Sequence, residues 1–189
     1  MGGKRTALAL EDCRERRLVT GAGAAALERR DPFSGETPLI TQVQLGEHER
    51  VERLLQAGAD ANAATAGGER ALLIAAKVGR EDLVELLVDF KADLHGVDAE
   101  GETALHWASK EGHLAVVQFR VKVGADTEAK NQDGETSLHT ASFSGHLAVV
   151  QTLVNHGADV ATETNYGRTA LGVARNEEVK AALREREPL

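Results

Sequence analysis

A period of 33 residues governs most of this chain. The segment from Gly101 to Val117, GETALHWASKEGHLAVV, returns from Gly134 as GETSLHTASFSGHLAVV. Gly35, Gly68, Gly101, Gly134 and Gly167 keep one spacing, and so do Gly46, Gly79, Gly112 and Gly145. Asp60, Asp93, Asp126 and Asp159 follow it as well, with no insertion between Gly35 and Gly167. A strict period of this length marks a unit too small to bury its own apolar face, which must therefore lie against the next copy. The expected architecture is an elongated all-α solenoid of stacked helix pairs.

Local signals within one unit agree. Thr103, ahead of Ala104, Leu105 and Ala108, reads as an N-cap whose hydroxyl satisfies an orphan amide of the first turn. Thr37, Thr136 and Thr169 repeat it, and Pro38 takes the first helical position, where its missing N–H costs nothing. Gly112 ends the first helix in the left-handed conformation that follows many helices. Leu114, Val116, Val117 and Val121 then give a second helix its apolar stripe, and Gly124 closes it. The polar remainder, ADTEAKNQDGE, is expected to form an extended loop or hairpin.

The stretches GETPL, GETALHWA, GETSLHTA and GRTAL resemble the Thr-Pro-Leu-His helix opening of the ankyrin repeat family. GHLAVV, with GAD at residues 58–60, 124–126 and 157–159, resembles its second helix and exit turn. The resemblance implies an ankyrin-repeat solenoid of helix-turn-helix units with short β-hairpin or loop connections. Four complete repeats fall at 35–67, 68–100, 101–133 and 134–166, and a truncated C-terminal capping repeat at 167–189. Residues 1–34 match poorly. There, after a short basic start, ALALEDCRERRLV is expected as an amphipathic helix, TGAG as a turn and AAALERR as a second short helix, together an N-terminal cap. NEEVKAALRERE is expected to supply the charged second helix of the other cap.

Departures from the family pattern carry their own expectations. Ile40 and Leu73 stand where the family has His, so the hydrogen-bond ladder suggested by His106 and His139 should stop at them. Lys91 occupies the slot of Gly58, Gly124 and Gly157, where a positive φ costs a side chain about 1 kcal/mol. Arg120 falls in the apolar slot of Leu54, Leu87 and Leu153, while Phe119 lies on the polar side. Either the arginine stem runs outward to water or this helix turns about its axis. Repeat 3 is the expected weak joint.

Little in the chain suggests catalysis. The serines, histidines and aspartates fall on the repeat grid, and equivalent histidines such as His106 and His139, or His113 and His146, should stand about 8–10 Å apart, too far to share one metal ion. GAGAAA at 21–26 lacks the Lys-Ser/Thr of a phosphate loop. Acidic pairs such as Glu81 with Asp82, or Glu177 with Glu178, suit solvated helix starts. Cys13 is the single cysteine, so no internal disulfide forms and a reducing, cytoplasmic setting is expected, the nucleus remaining open. No apolar run reaches the roughly 20 residues needed to span a bilayer. Gly2 with Thr6 fits an N-myristoylation pattern, the basis of an alternative reading as a membrane-tethered adaptor, although one acyl chain anchors weakly.

Of the net charge of −8, residues 35–166 hold −11 between weakly basic ends. Nucleic acid is therefore an unsuitable partner, and a basic or mixed-polarity protein segment a suitable one. The expected protein is a monomeric, non-catalytic interaction module, adaptor, scaffold or inhibitor, with no cofactor and no metal. The family resemblance implies contact through hairpin tips and first helices along a concave side. It selects Val97, Ala99, Glu100 and Glu102, then Lys130, Gln132, Asp133 and Glu135, then Glu163, Asn165, Tyr166 and Arg168 at the tips. From the first helices it selects Lys77, Val78, Trp107, Lys110, Glu111, Phe143 and Ser144. Trp107, Phe143 and Tyr166 are the candidate apolar anchor, because aromatic residues dominate interface energetics.

Overall fold

The 33-residue frame becomes a run of helix pairs. The computed structural model describes residues 24–186, so the expected capping helix around Cys13 and the acylation pattern at Gly2 lie outside the described residues. After the short α1 (Ala24–Leu27) come the pairs α2 (Pro38–Leu45) with α3 (His48–Gln56), α4 (Ala71–Val78) with α5 (Glu81–Asp89), and α6 (Ala104–Glu111) with α7 (Leu114–Lys122). The pairs α8 (Ser137–Ser144) with α9 (Leu147–Asn155) and α10 (Ala170–Val173) with α11 (Glu177–Arg184) complete the stack. First helices pack on first helices and second on second, each against the neighbouring unit. Among the described residues β structure is limited to isolated bridges, Ala64 with Arg70 and Val97 with Thr103, at the hairpin tips.

The expected caps are in place. The Thr37, Thr103 and Thr169 hydroxyls accept the amide hydrogens of Ile40, His106 and Gly172 at 3.3–3.4 Å. Gly112 closes α6 at φ +79°, and a Cβ there would fall 2.6 Å from the His146 ring, so both its backbone and its neighbour require glycine. That ring belongs to a recurring tie: His113 Nε2 lies 3.0 Å from the Lys77 carbonyl, and His146 Nε2 3.1 Å from that of Lys110. The terminal unit has a first helix of only four residues. Asn176 there both caps α11, through Val179 N–H, and donates to the Gly145 carbonyl.

Arg120 corrects both sequence-based alternatives. α5 buries Leu83, Val84 and Leu87, and α9 buries Val149, Val150 and Leu153. α7 buries Val116, Val117 and Arg120 at the same places, so the helix has not turned. Nor has the side chain escaped to water, being 1% exposed. The backbone geometry imposed by neighbouring copies holds the arginine in a leucine slot. Its Nη2 donates to the Leu94 carbonyl, while Nε and Nη1 are buried without an acceptor. Burial pushes its pKa down to about 10. Lys91 takes the positive φ expected of it, +65°.

Candidate protein-binding surface

The first helices present a continuous row of cations and aromatic rings. Lys77 on α4 places its ammonium 4.1 Å from the Trp107 ring centre, and Lys110, one turn along α6, approaches the same ring at 4.7 Å. Lys110 and Phe143 line a shared groove of about 150 Å³ between α6 and α8, with Glu102, Glu135, Thr140 and Ser144. Arg175, just beyond α10, stacks its guanidinium 3.7 Å from the Phe143 ring centre. Each such contact contributes about 0.5–1 kcal/mol at an exposed site. Trp107 and Phe143 are thus linked by Lys110 and flanked by basic groups, with Glu102 and Glu135 beside them in the groove.

Trp107 is half-buried, and its indole N–H donates to Asp98 Oδ2 at 2.8 Å. Asp98 is itself buried, and its Oδ1 accepts the amide hydrogens of Glu100 and Glu102. One carboxylate therefore shapes the hairpin tip and tethers the ring. Phe143 is 47% exposed. Tyr166, 73% exposed, stands apart from the row on the last hairpin tip, with its hydroxyl 3.3 Å from Asp133.

Many of the selected tip residues bond to the neighbouring repeat. The Gln132 amide side chain donates to the Ala99 carbonyl and its backbone N–H to that of Glu100. Asn165 does the same to the carbonyls of Gln132 and Asp133. Lys130 Nζ donates to the Glu163 carbonyl. Glu102 and Glu135 are half-buried and both accept from Asn131 Nδ2. Val97 forms the bridge with Thr103. Glu100, Glu111, Ser144, Glu163 and Arg168 are exposed at the tips and helix ends.

Beneath this surface run the histidines. Thr103 N–H donates to His106 Nδ1 at 3.2 Å, so Nε2 carries the hydrogen it offers to the Glu135 carbonyl at 3.0 Å. Thr136, His139 and the Arg168 carbonyl repeat the arrangement. Burial, more than any other influence, pushes the His139 pKa below its usual value. These nitrogens are occupied by structural bonds, and among the described residues no group of His, Cys, Asp and Glu is gathered for a metal ion.

Sequence reasoning missed Arg175 and Asp98. Arg175 reaches Phe143 from just beyond α10, which ends after four residues; the expected truncation of the 167–189 repeat does not say where its first helix stops. Asp98 had a readable signal, since Thr65, Asn131 and Thr164 share its frame position and likewise accept the amide hydrogen four residues on.

A family model described as ankyrin repeats, in three copies, matches residues 16–95, 39–131 and 117–184. No curated protein matches the chain. Among the described residues no helix is long and apolar enough to cross a membrane. With its threonine-capped first helices, glycine-closed turns and family match over most of its length, the chain belongs to the ankyrin repeat family, whose repeats are modules for binding other proteins.

Proposed function

We propose that the chain is a non-catalytic adaptor or inhibitor that grips a mixed-polarity segment of another protein along its first helices. The observation that carries this reading is the row Lys77, Trp107, Lys110, Phe143 and Arg175. Beside it stand the carboxylates of Glu69, Glu102 and Glu135, one per repeat, with Glu69 paired to Lys77 at 3.3 Å. A partner offering only basic groups would meet the cations of the row. One offering an apolar or aromatic side chain between charges of both signs would complement it. The rings supply contact area at little entropic cost, and their stacked cations hold them in place before the partner arrives.

The test is affinity capture with a variant carrying Trp107→Ala, Phe143→Ala and Arg175→Ala, alongside one carrying Glu85→Ala and Gln118→Ala on the second helices. The row variant should bind the wild-type partner at least tenfold more weakly, and the second-helix variant as well as wild type. Retention of every partner by a row variant with native circular dichroism would refute the assignment. Tyr166→Ala, added separately, shows whether the last tip takes part.

A further inference from the structure

The loop after α5 and the loop after α7 enclose a half-open cavity of about 190 Å³, room for several water molecules. Leu94, Val97, Ala125 and Ala129 give it apolar walls. Its charged lining groups are Arg120, Lys130 and Asp126. Arg120 is the unusual one. It fills a slot that leucine holds in the other complete repeats, is 1% exposed, and keeps two N–H groups, at Nε and Nη1, with no protein acceptor. A buried guanidinium with two unpaired N–H groups and no salt bridge of its own among the described residues is a costly arrangement for a core unless an anion reaches it.

Charge and shape narrow the ligand. Arg120 and Lys130, the latter with its ammonium held on the Glu163 carbonyl, stand against Asp126 and leave one net positive charge. Asp93, which also bears on Arg120, is paired with Arg70 at 3.6 Å. A dianion would meet Asp126 across the cavity, whereas a monoanion balances the site. The four apolar walls favour a short carbon tail. We infer that this cavity is a binding site for a small aliphatic monocarboxylate, its carboxylate bonded to the Arg120 guanidinium and its tail against Leu94, Val97, Ala125 and Ala129. The two free N–H groups are themselves covered, so seating the carboxylate draws the guanidinium toward the cavity. The low dielectric around the pair strengthens it.

The probe is butyrate, with butyramide as its neutral counterpart and inorganic phosphate as a dianion, all at one ionic strength. Nitrogen-15 NMR of the arginine Nε–H signals reads the site directly. The Arg120 signal should shift saturably with millimolar butyrate and stay in place with butyramide. Butyrate should also raise the Tm of wild type and of the α7 surface variant Lys122→Ala. Arg120→Leu, which keeps the fold because leucine suits the slot, should lose that rise. An Arg120 signal unmoved by butyrate, an equal response to butyramide, a stronger one to phosphate, or a butyrate-dependent Tm rise that survives in Arg120→Leu would each overturn the inference.

Discussion

At the scale of single residues, Arg120 shows how strongly the neighbouring copies dictate position. Three other second helices put leucine in that slot, and the arginine is buried there with two donors unpaired. Arg120→Leu should therefore stabilise the folded chain by about 1–4 kcal/mol, the range seen when buried ionic groups give way to well-packed apolar ones. A urea midpoint that rises with an unchanged slope would show it; a fall would mean that Leu94 and the cavity satisfy the arginine better than its bonds suggest. His139 gives a second prediction, in pH. Burial lowers its pKa in the fold, so the unfolded chain takes up the proton first. Stability held above about pH 6.5 is then lost as the pH falls from there through the lower folded value. Protonation at Nδ1 also removes the acceptor for Thr136 N–H. His139→Gln should flatten this part of the stability–pH curve, and an unaltered slope would argue against the assignment.

At the scale of elements, the hairpin tips are small hydrogen-bonded turns built by one side chain each, and the Asp98 tip does most. Asp98→Ala removes two backbone bonds and the Trp107 tether together, and should cost about 1–3 kcal/mol with a red shift of tryptophan fluorescence. Asp98→Asn should keep the turn, as Asn131 does in the next repeat, yet lose the tether, because its amide nitrogen can offer the indole only another donor. A variant with intact stability and a freed tryptophan separates the two roles of the carboxylate. What the sequence revealed of these elements followed from the period: Thr103, Gly112 and the stripe on α7 mark boundaries because their roles are local. The row on the first helices was only half legible. Lys77 and Trp107 lie thirty residues apart in the chain and meet only when units stack in register, while Arg175 meets Phe143 from just beyond the four-residue α10. Arg120 was misjudged for the same reason, since an outward path for its stem depends on neighbours that the residue's own helix does not describe.

At the scale of the whole molecule, a chain whose described helices make their main contacts within their own unit and with the adjacent units should not lose its structure all at once. α2 packs on α4, α4 on α6, α6 on α8 and α8 on α10, and the second helices follow the same succession from α3 to α11. Stability is then a sum of unit terms and nearest-neighbour interfaces, in contrast to a globule whose core is shared by every element. Val179, fully buried on α11 where Asn176 caps the helix, is the place to test this. Val179→Asp puts an unpaired carboxylate inside the last unit and should melt α10 and α11. α8 and α9 would then show one uncovered flank, and their amides should exchange faster, because α8 packs on α10 and α9 on α11. From Pro38 to Asp89 nothing in contact has changed, so hydrogen exchange there should match wild type. Graded loss of protection from the C-terminal end, read by mass spectrometry of peptides under native conditions, is the expected pattern. Equal acceleration from α2 through α9 would instead mean that the array unfolds as one body, and that the coupling between copies outweighs the stability of any single copy.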